Sequence, residues 1–288
     1  MRGNKGPRYK HRQAPAEPYQ TLTVRKLTPI IGAEIDGIDL SQPLSASQQQ
    51  EVRRALAEHC VIFFRDQHIT PQQQMAFGRL FGELDVHPAA PHLEGMPEVM
   101  VIAADEHSSR ANGEGWHSDV SCEPEPPMGS ILYVTEVPSE GGDTLFASMY
   151  AAYQALSDRM KGYLEGLTAI HDGEHVYRGL YQGVEEKPRY PRAEHPVVRT
   201  HPVTGRKCLY VNRGFTTRLV GIPVDESAAL LRYLYEHMES PLFQCRFRWR
   251  ANSIAFWDNR CVQHRAMWDY WPERRYGNRV TVSGDAPF

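Results

Sequence analysis

The segment Trp116-His117-Ser118-Asp119 carries an imidazole and a carboxylate two positions apart. In an extended segment, positions i and i+2 point to the same face, so the two groups can converge on one metal ion. A second histidine, His264, lies far down the chain within segment 257–265. Two histidines and one carboxylate leave three coordination positions open, which suits a non-haem Fe(II) that binds an organic co-substrate and O₂ together. Because the chain has 13 histidines, a hydrogen-bonded surface pair is the alternative for His117 and Asp119.

Two arginines, Arg275 and Arg279, follow His264 in a β-rich part of the sequence. If this part is extended, the two side chains lie on the same face and can point where His264 points. Guanidinium groups that are buried in a cleft need anions, and their planar fork matches a carboxylate or a sulfonate. The alternative is an exposed basic strand end whose arginines pair with Asp269 and Glu273.

Composition narrows the range of partners for this chain of 288 residues. Lysine and arginine number 32 against 35 aspartate and glutamate, so the net charge of −3 provides no positive field for nucleic acid or an anionic membrane. No apolar run reaches the roughly 20 residues that span a bilayer, and the N-terminus lacks the apolar core of a signal peptide. Five scattered cysteines without a C-x-x-C pair argue against a disulfide framework or a structural zinc site. We therefore expect a cytoplasmic protein with a small-molecule partner.

Four helices and a series of short strands are predicted from the hydrophobic pattern and the capping residues. One helix spans 45–59; a second begins after Thr70, with a capping box to Gln73 and with Pro71 at its first position, and Gly82 marks its end. The 3.6-residue apolar period predicts two more helices over 149–165 and 225–239. Strands bounded by turn residues are predicted at 61–64, 130–135, 196–200, 208–212, 245–249, 253–257 and 279–283.

These elements predict a mainly β fold, a sandwich or jelly roll with flanking helices. We expect residues 1–18 to be a disordered basic tail rather than a nucleic-acid arm, and residues 19–288 to form a single domain. The aromatic cluster Trp268, Tyr270 and Trp271 is typical of core or lid packing; its alternative role is an apolar wall for an aryl or alkyl substrate. A polar stretch near 170–192 has the length of loops that cover active sites.

Several ordered motifs resemble the taurine dioxygenase group of Fe(II)/2-oxoglutarate-dependent dioxygenases. The resemblance runs from about Leu22 to Pro287 and is specific for the superfamily. The motifs that carry it are Trp116-His117-Ser118-Asp119-Val120, Pro138-Ser139-Glu140-Gly141-Gly142-Asp143-Thr144-Leu145, Trp257-Asp258-Asn259-Arg260-x-x-x-His264 and Arg274-Arg275-x-x-x-Arg279. The resemblance implies a double-stranded β-helix, a jelly-roll variant, with iron between its two sheets.

The resemblance also implies a metal site and a co-substrate site. By motif position, the iron ligands are His117, Asp119 and His264. Thr144 and Arg275 fall where the family holds the distal carboxylate of 2-oxoglutarate. A tight glycine turn just before Thr144 would deliver that residue to the site.

The implied substrate site consists of His87, Arg279 and Phe215. The first two match the positions that hold the anion in sulfonate-oxidising members, and Phe215 matches an aromatic residue of the same pocket. Two departures enlarge this pocket: Ala90 replaces an aromatic residue and Gly113 replaces an asparagine.

The resemblance implies a 2-oxoglutarate-dependent dioxygenase, an oxidoreductase that hydroxylates a small organic anion with Fe(II), 2-oxoglutarate and O₂. Taurine or another alkylsulfonate, which would yield sulfite and an aldehyde, is the leading substrate. Alkyl sulfate esters and aryloxyalkanoates are the alternatives within this chemistry, and a catalytically silent jelly-roll binding protein is the alternative outside it. We expect a homo-oligomer with no nucleic-acid or membrane partner.

Overall fold

Strands supply most of the architecture. This computed structural model describes residues 17–179 and 189–288. Most of the predicted tail, residues 1–16, lies outside the described residues, as do residues 180–188 of the predicted cover. None of the helices in the described part of the chain has the length and apolarity that a membrane crossing requires.

Six α-helices flank the strands in the described part of the chain. Their bounds are α1 Ala46–His59, α2 Pro71–Arg79, α3 Met149–Ala155, α4 Asp158–Leu164, α5 Glu174–Tyr177 and α6 Val224–Met238, and a 3-10 turn spans Pro241–Phe243. The strands are β1 Thr23–Lys26, β2 Ala33–Asp36, β3 Val61–Phe64, β4 Leu84–Asp85, β5 His92–Leu93, β6 Met96–Ala104, β7 Gly129–Glu136, β8 Thr144–Ser148, β9 Thr168–Asp172, β10 Arg192–Pro196, β11 Val198–Thr200, β12 Lys207–Leu209, β13 Thr216–Leu219, β14 Gln244–Phe247, β15 Ser253–Asp258, β16 Val262–Ala266 and β17 Arg275–Val282.

Two sheets build the jelly roll. The larger sheet has the order β1-β2-β3-β15-β7-β17-β6-β5, with β4 paired to β17, and the smaller sheet has the order β14-β8-β16. The sheets pack through aromatic side chains: the ring of Phe63 on β3 stacks on Phe247 of β14 at 3.9 Å and meets Phe146 of β8 edge-on at 5.5 Å. Strands β7 and β17 lie side by side within the larger sheet, antiparallel to each other. This pairing places the inward side chains of β17 opposite the smaller sheet.

Local capping signals predicted the first two helices well. Thr70 accepts the backbone N–H of Gln73, the Gln73 side chain accepts the N–H of Thr70, and Pro71 occupies the first turn, so this prediction is confirmed. The helix ends at Arg79, however, before the predicted stop at Gly82. A Cβ at Gly82 would lie 3.0 Å from Val282, so this glycine serves close packing against β17.

The predicted helix over 149–165 is wrong as a continuous element. The structure has two short helices, α3 and α4, separated at Leu156 and Ser157. Leu156 is extended, with ψ of 150°, and the Ser157 hydroxyl accepts the backbone N–H of Met160. A new N-cap therefore interrupts a hydrophobic pattern that continues through the break. The predicted helix over 225–239 is confirmed as α6, shifted by one residue.

The strand predictions identified most of the larger sheet but missed strands of the smaller one. The runs at 61–64, 130–135, 253–257 and 279–283 correspond to β3, β7, β15 and part of β17. Strands β8 and β16 were not predicted, although they form the middle and one edge of the smaller sheet. Strand β16 carries Gln263, His264 and Arg265 in sequence, so it lacks the apolar alternation on which the prediction relied.

Gly277 lies between the two candidate arginines on β17, where the backbones of β17 and β7 come very close. A Cβ at this position would lie 2.3 Å from the carbonyl oxygen of Tyr133 and 3.0 Å from Cα of Val134. Both contacts are with backbone atoms of the neighbouring strand, so a side chain there forces the strands apart. The register between β17 and β7 also shifts at this point.

Replacing Gly277 with alanine should destabilise the fold by about 1–3 kcal/mol, because the added methyl group overpacks two paired strands. The midpoint of urea unfolding measures the loss. Gly162→Ala is the matched control: it makes the same change in α4, where no atom lies within 4 Å of the added carbon. This control should be neutral or stabilising by up to about 1 kcal/mol. Equal midpoints for both variants would contradict the steric argument.

Candidate active site

The two candidate histidines are joined through their backbones. His117 N–H donates to the carbonyl oxygen of His264 at 3.1 Å, and His264 N–H donates back to His117 at 2.8 Å. This bridge attaches the His117 segment to the open edge of β16, so the segment extends the smaller sheet. The imidazole rings lie 4.2 Å apart. The extended conformation expected for this segment ends quickly, because the chain turns at Val120, whose φ is +47°.

Asp119 brings its carboxylate to the two imidazoles. Its Oδ1 lies 3.5 Å from Nε2 of His117 and 3.9 Å from Nε2 of His264. One ligand atom from each of the three side chains lies within 4.8 Å of the others. Nδ1 of His117 lies 2.7 Å from the carbonyl oxygen of Gly115, which assigns the ring proton to Nδ1 and leaves the Nε2 lone pair facing Asp119. The group therefore presents two imidazole nitrogens and one carboxylate oxygen to a shared point.

The surrounding charges hold these groups in the protonation states that bind metals. Burial alone would raise the pKa of Asp119, but the positive charge of the neighbouring Arg279 guanidinium outweighs it, so the pKa lies well below its usual value. Burial and the neighbouring His117 lower the pKa of His264 well below its usual value. At neutral pH the carboxylate is ionised and this imidazole is neutral, as a divalent metal requires.

A second cluster, His201, Asp258 and Cys261, is chemically different. Nδ1 of His201 accepts two backbone N–H groups, so Nε2 carries the proton and donates to Asp258 at 3.0 Å. Arg260 donates to both carboxylate oxygens of Asp258, at 2.9 and 2.7 Å. The lone pairs that a metal would need are already used, and this cluster is a buried structural network.

Thr144 and Arg275 lie on opposite sheets and are linked by Trp249. The glycine pair before Thr144 has φ of +76° and +68°, a double left-handed turn that only glycine adopts easily. The indole N–H of Trp249 donates to Oγ1 of Thr144 at 2.9 Å, and the guanidinium carbon of Arg275 lies 5.3 Å from the centre of the Trp249 ring. Nε and Nη2 of Arg275 are buried without a hydrogen-bond partner among the described residues. Such a cation is suited to an anion that enters from the cavity.

Arg279 differs from Arg275 because it already faces a charge. Its Nη1 donates to Oδ1 of Asp119 at 2.8 Å, while its Nε is buried without a partner among the described residues. Nδ1 of His87 accepts the backbone N–H groups of Ala89 and Ala90 at 3.2 and 2.9 Å, which assigns the ring proton to Nε2.

One cavity of about 300 Å³ is lined by all eight residues singled out from the sequence. They are His87, His117, Asp119, Thr144, Phe215, His264, Arg275 and Arg279. Apolar side chains cover another part of the wall, namely Met100, Ile102, Leu132, Val176 and Tyr177. The cavity therefore combines a charged floor with an apolar wall, an arrangement typical of binding sites for small amphiphilic molecules.

The aromatic cluster after His264 does not line this cavity among the described residues. Tyr270 packs with Ala104 and Ala111, and Trp268 covers the same group. Trp271 is 60% exposed. The packing role is therefore the one that the structure supports for these rings.

Three contributors to the site were missed from the sequence: Trp249, Ser130 and Asn259. Trp249 was assigned only to a strand, and Ser130 was taken as the start of another. Ser130 is fully buried beside an apolar run, and a buried hydroxyl needs a partner. A serine at the start of an apolar strand is therefore a signal in the sequence that could have indicated a buried hydrogen bond.

Comparison with known proteins decides the family. The sequence model described as "Taurine catabolism dioxygenase TauD, TfdA family" matches residues 23–281. The chain belongs to this family. The enzyme is thus a 2-oxoglutarate-dependent dioxygenase, an oxidoreductase of a family that uses Fe(II), 2-oxoglutarate and O₂.

Individual relatives of this TauD/TfdA family enzyme differ in the substrates for which they are named. The alpha-ketoglutarate-dependent sulfonate dioxygenase of Saccharomyces cerevisiae is 37% identical over 281 residues, 92% of this chain and 68% of that protein. The alpha-ketoglutarate-dependent sulfate ester dioxygenase of Pseudomonas putida is 36% identical over 277 residues, 92% of this chain and 91% of that protein. The crystal structure of a taurine dioxygenase from Burkholderia xenovorans has a TM-score of 0.82 and 38% identity, covering 93% of this chain and 91% of that one. The predicted jelly roll and family are confirmed.

Removing the Arg275 cation should stabilise the unliganded enzyme. Arg275→Met deletes a buried guanidinium whose Nε and Nη2 have no hydrogen-bond partner among the described residues, so the free energy of unfolding should rise by about 1–4 kcal/mol. Arg260→Met is the contrasting variant: it deletes a buried guanidinium that pairs with Asp258, and the carboxylate left behind should cost about 3–5 kcal/mol. Urea unfolding without added anions measures both. A loss of stability in Arg275→Met as large as that in Arg260→Met would contradict this reading of the site.

Proposed function

We propose that His117, Asp119 and His264 hold one Fe(II) ion in this enzyme. The donor set supports the proposal, because two imidazoles and one carboxylate form the facial set of non-haem iron oxygenases. The 4.8 Å spread of the ligand atoms and the neutral state of His264 fit a divalent ion. Iron, when bound, would allow O₂ to oxidise a substrate C–H bond while 2-oxoglutarate is converted to succinate and CO₂.

Arg275 and Thr144 hold the distal carboxylate of 2-oxoglutarate in this proposal. The observation that carries this step is the buried guanidinium whose Nε and Nη2 have no partner among the described residues. The Thr144 hydroxyl accepts from Trp249, so its own proton is available for the carboxylate. Two donors from opposite sheets would then hold one end of the co-substrate.

Arg279 and His87 hold the anionic end of the primary substrate in this proposal. Arg279 donates to Asp119 through Nη1, and its Nε, which has no partner among the described residues, can donate to a second anion. His87 lines the same cavity as Arg279, and its ring proton lies on Nε2. This arrangement binds the anion beside the metal ligands, so the carbon next to it would be the one presented for oxidation.

We propose an alkylsulfonate such as taurine as the substrate, with hydroxylation of the carbon that bears sulfur and release of sulfite and an aldehyde. Phe215 and the apolar wall would cover the alkyl chain and exclude water. A second candidate is an alkyl sulfate ester, and Gly113 favours it. A glycine has no side chain that could bind the amine of a substrate such as taurine. A larger residue is disfavoured at this position, because Gly113 has φ of +84° and a Cβ there would lie 3.2 Å from the His117 ring.

The domain and cellular assignments are also proposals. Residues 19–288 act as one dioxygenase domain, because strands from both ends of the chain interleave in the larger sheet. Five buried free cysteines favour a reducing compartment such as the cytoplasm. A homo-oligomer without nucleic-acid or membrane partners stays a prediction.

His264→Ala should abolish stoichiometric Fe(II) binding and substrate-dependent succinate formation, because it removes a metal ligand. Metal content after gel filtration and a succinate assay across sulfonates, sulfate esters and aryloxy acids measure the two effects. The control is His68→Ala, which removes an exposed histidine that is not among the residues lining the cavity and should retain both. Wild-type turnover in His264→Ala would exclude the proposed metal site.

Arg279→Ala should weaken binding of the primary substrate by about 2–5 kcal/mol, roughly 30-fold to several thousand-fold, while 2-oxoglutarate affinity changes little. Arg275→Ala should show the reverse pattern. Titrations of metal-loaded protein with taurine, a longer alkylsulfonate, an alkyl sulfate and an aryloxyacetate separate the two, with metal content measured in parallel. If the enzyme turns over a neutral compound as well as any anion, Arg279 does not belong to the substrate site.

A further inference from the structure

The Asp119 carboxylate uses its two oxygens differently. Oδ1 faces the imidazoles and Arg279, whereas Oδ2 accepts the hydroxyl of Ser130 at 2.7 Å. Ser130 lies on β7 of the larger sheet and is fully buried. Neither Ser130 nor Asn259, its neighbour, lines the cavity among the described residues. Any effect of these two residues on the reaction must therefore pass through residues that they contact, and Asp119 is the one that accepts a hydrogen bond from Ser130.

Asn259 determines the direction in which the Ser130 hydroxyl points. Its Oδ1 accepts the indole N–H of Trp257 at 2.9 Å and the backbone N–H of Asp119 at 3.3 Å. Both groups can only donate, so the orientation of the amide is fixed. Nδ2 of Asn259 then donates to Oγ of Ser130 at 3.1 Å. With its oxygen accepting from Asn259, Ser130 has one proton to give, and it gives it to Asp119.

We propose that Trp257, Asn259 and Ser130 form a donor chain that occupies Oδ2 of Asp119 and restricts the carboxylate to binding metal through Oδ1 alone. The proposal rests on the proposed iron site. The three are positioning residues. Oδ1 has a second lone pair, so the contact with Arg279 does not exclude a metal there.

The donor chain matters because a carboxylate that binds through both oxygens occupies two coordination positions instead of one. The proposed reaction requires three open positions, two for the co-substrate and one for O₂. An Asp119 carboxylate free to rotate would compete for one of them. The donor chain also links the metal ligand to the ring under His264, because the Trp257 and His264 rings lie 4.6 Å apart. The candidate ligands Asp119 and His264 are thus oriented together.

The test uses Co(II) as the metal probe in the full-length protein, since the absorption of Co(II) reports which ligands surround it and in what geometry. Ser130→Ala removes the hydroxyl donor. Ser130→Cys keeps a side chain of nearly the same size, but its thiol is a much weaker donor. Both should bind Co(II) about 10–100-fold more weakly than wild type. Their Co(II) spectra should differ from that of wild type, because an Oδ2 that is free to bind the metal replaces one of its other ligands. In Asn259→Asp the new carboxylate can still accept the indole N–H of Trp257, but it also accepts the hydroxyl proton of Ser130. Ser130 then no longer donates to Asp119, so the Co(II) spectrum of this variant should shift in the same way.

Ser253→Ala is the matched control, because Ser253 is a fully buried serine on the neighbouring strand β15 whose hydroxyl binds Arg65 instead. Its Co(II) affinity and spectrum should equal those of wild type. Urea unfolding of the metal-free proteins identifies a purely structural role, which would lower stability in all serine variants and leave Co(II) binding unchanged.

The outcomes separate this inference from the iron site on which it rests. If wild type binds Co(II) and the Ser130 and Asn259 variants match it in affinity and spectrum, the donor chain is wrong and the iron site stands. If wild type itself binds no Co(II), both the iron site and the donor chain are wrong. Weaker binding with a shifted spectrum in the variants and a silent Ser253→Ala supports the donor chain.

Discussion

The negative charge of Asp119 is the constraint on which the rest of the structure depends. The residue is 3% exposed, and an ionised carboxylate at such depth is strongly unfavourable unless charges and hydrogen bonds surround it. Its partners come from separate parts of the fold: Arg279 and Ser130 from the larger sheet, and His264 from the smaller one. The carboxylate is therefore stable only when both sheets are in place. Assembly of the fold and assembly of the site are the same event.

The two arginines of β17 illustrate how one strand can serve structure and binding together. Arg279 satisfies a carboxylate that the fold itself buries, so its charge is compensated without any ligand. Arg275 has an aromatic face beside it but no salt bridge to a carboxylate among the described residues, and it retains a desolvation cost in the unliganded enzyme. A site of this kind lowers the stability of the unliganded protein and raises its affinity for an anion, because a bound anion offsets the desolvation cost of the buried guanidinium.

Sequence reasoning succeeded where local chemistry decides the outcome. The Thr70 capping box lies within four residues, so it was readable directly. The same holds for the spacing that brings His117 to Asp119. The break at Ser157 was missed because an N-cap there competes with an apolar period that suggests one helix. Strand β16 was missed because pairing with β8, not its own composition, makes it a strand.

Contacts that depend on register between distant strands could not be predicted at all. Whether Arg279 meets Asp119, or Ser130 meets Asn259, depends on how β7, β15 and β17 align. The motif resemblance identified which residues belong to the site, but it did not identify these contacts between them. It assigned Arg279 to a substrate and gave no indication that the same side chain also neutralises a candidate metal ligand.

The strand order has a consequence for synthesis of the chain. Strand β3 lies between β2 and β15, so one edge of residues 61–64 pairs with a nearby strand, whereas the other edge finds its partner only when residues 254–257 have been made. The bridge between His117 and His264 likewise spans half of the sequence. Folding dominated by such distant pairings is slow, because long loops close before contacts form. Before residues 254–257 are made, the edge of β3 that later pairs with β15 is therefore exposed, and such an exposed strand edge is where chaperones would act.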